Sequence, residues 1–102
     1  MILYNLQHPD EQVTFAEAVK RGMGRNRGLF FPTEIPRIKD LDGLLRLPFV
    51  ERSCRIIEAW IGSEIGQATV GRLVEKAFDF PLKLVQVDEH RSILELFHGP
   101  TL

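Results

Sequence analysis

Residue types that bind metals or act as nucleophiles are few in this chain and widely separated. The histidines are His8, His90 and His98, and the single cysteine is Cys54. A structural zinc site needs several ligands and is usually signalled by closely spaced pairs of cysteine or histidine. No such pair is present, and Cys54 falls on the apolar arc of a predicted helix, where a thiol packs as a small hydrophobic group. We therefore predict no metal site and a structural role for Cys54.

Residues 20–28 form a segment rich in glycine and cations that could hold an anion. Its glycines are spaced G-x-G-x-x-x-G and follow a predicted helix. A dinucleotide-binding fingerprint is G-x-G-x-x-G and lies between a strand and the helix that follows it. We therefore predict a solvated turn. The alternative is an anion site or a nucleic-acid surface, in which Arg25 and Arg27 bind phosphates and the neighbouring phenylalanines stack on bases.

Four lysines could form a Schiff base with an aldehyde cofactor, a reaction that requires an amine in a desolvated pocket. Lys20 and Lys39 lie in charged, loop-like stretches, and Lys76 lies on the polar arc of a predicted helix. Lys83 has apolar neighbours, but strand alternation directs its side chain away from their face. We predict that none of these lysines carries a cofactor.

The elements that position these residues are predicted to form one α+β domain over residues 1–102. It has three or four helices and a short sheet that includes a carboxyl-terminal β-hairpin. Thr14-x-x-Glu17 has the spacing of a helix capping box, and the period changes from helical to alternating after Pro81. The predicted elements are a strand at 2–4, a helix at 14–21, a strand at 29–31, one or two helical turns within 40–47, amphipathic helices over 49–61 and 70–78, and a hairpin over 82–97.

Length and charge restrict the class of protein further. The chain has 102 residues and a net charge of −1 from 13 basic and 14 acidic side chains. Near-neutral charge gives no global attraction to nucleic acid or to an acidic membrane surface. No apolar run approaches the roughly 20 residues needed to span a bilayer, and one cysteine fits a reducing compartment. These features favour a soluble, cytoplasmic protein that binds neither nucleic acid nor membrane.

Several blocks of sequence resemble one enzyme family in the same order along the chain. They are Leu3-Tyr4-Asn5-Leu6, residues 12–19, Gly28-Leu29-Phe30-Phe31-Pro32, Phe49-Val50-x-Arg52-Ser53, Trp60-Ile61-Gly62-x-Glu64-Ile65 and the distinctive Glu95-Leu96-Phe97-His98-Gly99-Pro100-Thr101-Leu102. Together they resemble the amino terminus of threonine synthase, a fold-type II enzyme that uses pyridoxal phosphate.

The resemblance implies an activity for the parent enzyme and two residues near its site. The parent is a lyase of threonine biosynthesis that converts O-phospho-L-homoserine and water into L-threonine and phosphate. In the family the last block runs directly into Phe-Lys-Asp, whose lysine carries the cofactor. The resemblance therefore places His98 and Thr101 at the edge of the cofactor site, with Gly99 and Pro100 shaping the turn between them. It implies no catalytic residue within this chain.

The final residues also suggest that the chain is a fragment, because an apolar, turn-forming end is unlike a solvated tail. We expect a domain cut just before the cofactor lysine, inactive alone and without bound cofactor. Exposed Leu96, Phe97 and Leu102 would favour self-association. The alternative is a free-standing interaction module that inherited this domain and binds a protein through its terminal hairpin.

Overall fold

The computed structural model describes residues 1–98, which contain four α-helices and five short strands. This agrees with the predicted α+β class. Gly99, Pro100, Thr101 and Leu102 lie outside the described residues. In chain order the elements are β1 (Ile2–Asn5), β2 (Gln12–Thr14), α1 (Phe15–Arg21), a 3-10 turn (Arg25–Arg27), β3 (Phe30–Pro32), α2 (Leu41–Arg46), α3 (Phe49–Ile65), α4 (Gln67–Ala77), β4 (Lys83–Gln86) and β5 (Ser92–Glu95).

The amino-terminal sheet has the strand order β2-β1-β3 and is antiparallel throughout. Leu3 pairs with Val13 on one side and with Pro32 on the other, and Leu3 and Val13 are both buried. Proline is tolerated here because β3 is an edge strand. Strand β2 was not predicted from the sequence, since three residues directly before a helix are too few to establish an alternating pattern.

Helix α1 begins as the sequence predicts. The hydroxyl of Thr14 accepts a hydrogen bond from the backbone N–H of Glu17 at 3.2 Å, which is the first half of a capping box. The Glu17 carboxylate instead lies 3.4 Å from Arg21, one turn further on. The helix ends at Gly22, whose φ of +73° favours glycine.

Helices α3 and α4 pack against each other and bury Val70 and Val74. Both helices are longer than predicted: α3 continues to Ile65, and α4 begins at Gln67 rather than after Thr69. The boundary between them is Gly66, whose φ of +84° reverses the chain direction within one residue. The apolar spacing located the helices but could not locate this junction.

The carboxyl-terminal hairpin pairs β4 with β5 in the register Leu84 to Leu94 and Val85 to Ile93. Its turn is organised by Asp88, whose carboxylate accepts N–H bonds from His90 and Arg91, each at 3.0 Å. The hairpin extends from the body, because within residues 1–98 its strands make no extensive contact with another element. The radius of gyration is accordingly 16.8 Å, whereas a compact domain of this length has about 13 Å. The molecule is correspondingly elongated, with extents of 49 × 28 × 24 Å.

The strands therefore form two separate sheets, β2-β1-β3 and β4-β5. Both faces of the hairpin are accessible, since Leu84 is 68% exposed on the face opposite Lys83. Among the helices of residues 1–98, none is long and apolar enough to cross a membrane.

Candidate functional site

The part of the described chain that approaches the predicted cofactor edge is a cluster of aromatic rings. Phe49 opens α3, and Phe78 and Phe80 follow α4, so the antiparallel helices bring all three rings together. Phe49 lies 5.5 Å from Phe78 in an edge-to-face arrangement and 6.1 Å from Phe80. Phe78 and Phe80 are also 6.1 Å apart. These spacings are within the range favoured by aromatic pairs.

Among the ring pairs within the described residues, His98 contacts only Phe80 of this cluster. The two ring centroids are 4.7 Å apart and the planes differ by 24°, which is a stacked geometry. The rest of the His98 side chain is exposed. Within the described residues the imidazole is thus covered by Phe80 on one face. Thr101, the second predicted residue of this edge, lies outside the described residues.

The loop of residues 20–28 is tied to acidic side chains rather than open to an anion. Arg21 pairs with Glu11, and Arg25 pairs with Asp10 at 2.6 Å and with Glu11 at 3.5 Å. These contacts lie within the domain, so two of the loop's cations, Arg21 and Arg25, are already paired with carboxylates. The geometry favours the predicted turn over an anion or nucleic-acid surface. Asn26 and Arg27 have φ of +54° and +60°, the conformation that makes the turn tight.

Asn5 organises this loop, and the sequence analysis missed it. The residue is completely buried, and its side-chain amide donates to Glu11 at 2.6 Å and to the carbonyl of Arg25 at 3.0 Å. Its amide oxygen accepts the backbone N–H of Gln7 at 2.9 Å. A lone asparagine in a strand gives no signal of such a role, although the Asn5 to Gln7 bond is a local Asx turn.

The carboxylate of Glu11 is the electrostatic centre of the same network. Hydrogen bonds from Asn5, from the backbone N–H of Arg25 and from Arg21 lower the pKa of Glu11 to about 2. The Arg25 guanidinium likewise lowers the pKa of Asp10. Each of these hydrogen bonds favours the ionised carboxylate. The buried Asn5 amide has protein partners for both its nitrogen and its oxygen, so the network joins the first strand to the loop.

Glu64 is a second structural carboxylate that the sequence did not reveal. It projects from the end of α3 and accepts the backbone N–H groups of Phe15 at 3.2 Å and Ala16 at 2.9 Å. These are among the unpaired donors at the start of α1. The bonds lower the pKa of Glu64 and join α1 to α3.

Cys54 has the packing role predicted for it. It lies on α3 near Gly71 of α4, and its thiol is 3.6 Å from the Glu58 carboxylate. Burial and the negative charge of Glu58 raise the pKa of the thiol. A protonated thiol is a poor nucleophile. Among the residues that the structure describes, no three metal-ligating side chains converge.

The four lysines lie on the surface of the described chain. All four are exposed and lie within the described residues. Lys83 is paired with Glu95 across the hairpin at 3.8 Å, and its side chain is 72% exposed. An amine in this environment is exposed to solvent within the described chain, whereas an amine that reacts with carbonyls must be desolvated.

An open cavity of about 600 Å³ lies between the start of the chain and α3. Its polar side chains are Thr33, Glu34 and Arg37, and Trp60 forms part of its wall. It contains neither lysine nor histidine, so it offers none of the groups expected at the cofactor site.

Within residues 1–98 the fold is an α+β domain in which His98 stacks on Phe80 at the edge of an aromatic cluster. Residues 7–78 match the family described as "Threonine synthase N terminus". The chain is 54% identical over its whole length to the threonine synthase of Haemophilus influenzae and 48% identical to that of Escherichia coli K12. It belongs to the threonine synthase family.

The crystal structure of threonine synthase from Escherichia coli has the same architecture over all of this chain. The TM-score is 0.91 at 48% sequence identity. The fold is therefore that of the amino-terminal part of a fold-type II enzyme. In each of these comparisons the chain spans 24% of the length of the relative.

Proposed function

We propose that this chain is the amino-terminal domain of a threonine synthase, a pyridoxal-phosphate-dependent lyase that converts O-phospho-L-homoserine and water into L-threonine and phosphate. The observation that carries the proposal is the match along the whole chain at up to 54% identity, supported by the structural match of 0.91. The cofactor supplies the means of stabilising carbanions next to the substrate nitrogen.

The domain itself acts as a scaffold in this proposal. Its helices support the aromatic cluster, and the cluster holds His98 at the edge of the cofactor site, with Thr101 three residues further along. Its lysines remain solvated and do not hold the cofactor. The domain alone is therefore inactive, and the reacting groups belong to other parts of the enzyme.

Location in the cytoplasm is part of the same proposal. Its support is the single unpaired Cys54, which suits a reducing compartment. The comparisons lend no support to a free-standing interaction module, since each relative named above is a threonine synthase.

The test is turnover of O-phospho-L-homoserine with pyridoxal phosphate present. The full-length enzyme that carries this sequence should release phosphate and form threonine in equal amounts, and the chain of 102 residues should form neither. Reactions without the cofactor serve as the control. Turnover by the 102-residue chain would contradict its inactivity, and lack of turnover by the full-length enzyme would contradict the assigned reaction.

A further inference from the structure

The carboxyl-terminal hairpin has a narrow connection to the rest of the described chain. Strands β4 and β5 contact each other extensively, but within residues 1–98 neither has a comparable contact with a helix. Phe80 lies three residues before β4, and His98 lies three residues after β5. Their stacked rings therefore join the two ends of the hairpin at its base.

Phe80 is itself fixed to the helices. Its ring is 6.1 Å from both Phe49, which opens α3, and Phe78, which follows α4. Phe80 is half-buried, whereas His98 is exposed. In this contact the helices hold the ring of Phe80, and the position of the exposed His98 ring depends on Phe80.

We infer that Phe80 is a positioning residue of the enzyme: its ring sets the orientation of the His98 imidazole at the edge of the proposed cofactor site. The inference rests on the proposed function for the role of that site.

The role proposed for Phe80 requires a side chain with a flat face. A stacked pair at 4.7 Å fixes both the distance and the plane of the imidazole. An aliphatic side chain fills a similar volume but presents no flat surface, so it leaves the plane of His98 free to rotate. Small displacements near a reacting centre are costly, and about 1 Å can lower a rate by about 100-fold.

The test uses the full-length enzyme and compares Phe80→Leu with Phe80→Tyr, which keeps the ring. Phe31→Leu is the matched control, since it removes a partly exposed ring that pairs with Tyr4 in the amino-terminal sheet. The dissociation constant of pyridoxal phosphate from the apoenzyme and kcat/KM are measured together with the melting temperature.

Phe80→Leu should weaken cofactor binding by about 3- to 10-fold, the range expected for loss of one aromatic pair. Phe80→Tyr should stay within about twofold of the wild type, because the tyrosine ring provides the same flat face. Phe31→Leu should lower the melting temperature without changing cofactor affinity. In a His98→Ala background, Phe80→Leu should have almost no further effect on affinity, because the two residues act through one contact.

The proposal is wrong if Phe80→Leu and Phe31→Leu change cofactor affinity equally, or if the effects of Phe80→Leu and His98→Ala are additive. If Phe80→Leu does not fold, His98→Ala alone tests the proposal, because replacing an exposed side chain should leave folding intact. Wild-type cofactor affinity in the His98→Ala variant would overturn the proposal. Cofactor affinity is measured independently of turnover. Absence of threonine formation by the wild-type enzyme would therefore overturn the assigned reaction separately.

Discussion

The side-chain amide of Asn5 donates a hydrogen bond of 2.6 Å to the carboxylate of Glu11. Asn5 is completely buried, and the same carboxylate also accepts the backbone N–H of Arg25 at 2.9 Å. This pair connects the first strand to the loop of residues 20–28. These bonds hold a segment rich in glycine and arginine in a defined turn against the first strand.

Acid should destabilise the domain through Glu11. Its pKa in the folded chain is about 2, against an ordinary value of 4.5, so the unfolded chain binds the proton more readily. The stabilisation is fully present above about pH 4.5 and is lost as the pH falls toward 2. Asp10, Glu64 and Asp88 have lowered pKa values and act in the same direction. Thermal unfolding from pH 7 to pH 2 measures the effect.

Glu11→Gln should lower the melting temperature at pH 7 and make it less dependent on pH below 4.5. The matched control is Glu89→Gln in the exposed turn of the hairpin, which should leave both properties nearly unchanged. Equal effects of the two substitutions would show that the Asn5 network contributes nothing specific.

Gly28→Ala should be more damaging than Gly22→Ala, although only Gly22 has a positive φ. A methyl group on Gly28 would overlap the amide oxygen of Asn5 and lie 2.6 Å from its Cγ. Forcing apart a packed, hydrogen-bonded core costs about 2 to 3 kcal/mol. At Gly22 the space is open, so the cost is only that of the backbone conformation, with φ +73° and ψ −51°, about 1 to 2 kcal/mol.

Urea denaturation of the two glycine variants gives the comparison directly. A larger loss of unfolding free energy in Gly22→Ala than in Gly28→Ala would contradict the close approach of the loop to Asn5.

The exposed hairpin should cause the isolated chain to self-associate. Leu84 and Leu94 face each other in the strand register and are 68% and 49% exposed, and Leu96 and Phe97 beyond them are more than half exposed. A two-stranded hairpin with uncovered apolar side chains is only marginally stable in water. Sedimentation velocity should show association that increases over the micromolar range.

Replacing both Leu84 and Leu94 by serine should reduce that association. Leu41→Ser on α2 removes a similarly exposed leucine elsewhere and should not reduce it. A chain that remains monomeric at all concentrations, or equal effects of the two changes, would exclude the hairpin as the associating surface.

The sequence predicted the elements whose apolar spacing is regular. Helix α3 follows from the recurrence of Val50, Ile57 and Ile61, and α1 follows from its Thr14 cap. It could not predict β2, which is too short for a pattern, or the junction at Gly66, which depends on one backbone angle. Asn5 and Glu64 were missed because their roles depend on partners distant in sequence.

The candidate site, like the fold, could be predicted only in part from the sequence. The family motif predicted a role for His98, which stays a prediction, but could not show its stacking on Phe80, since the two residues are on opposite sides of a hairpin. For Thr101 the motif alone supports a role, and that role stays a prediction.

The most direct test of the account is the position at which pyridoxal phosphate attaches to the full-length enzyme. The holoenzyme is reduced with borohydride, digested, and its labelled peptide identified by mass spectrometry. The account predicts one labelled lysine, lying outside residues 1–102. Stoichiometric labelling of Lys20, Lys39, Lys76 or Lys83 would contradict it.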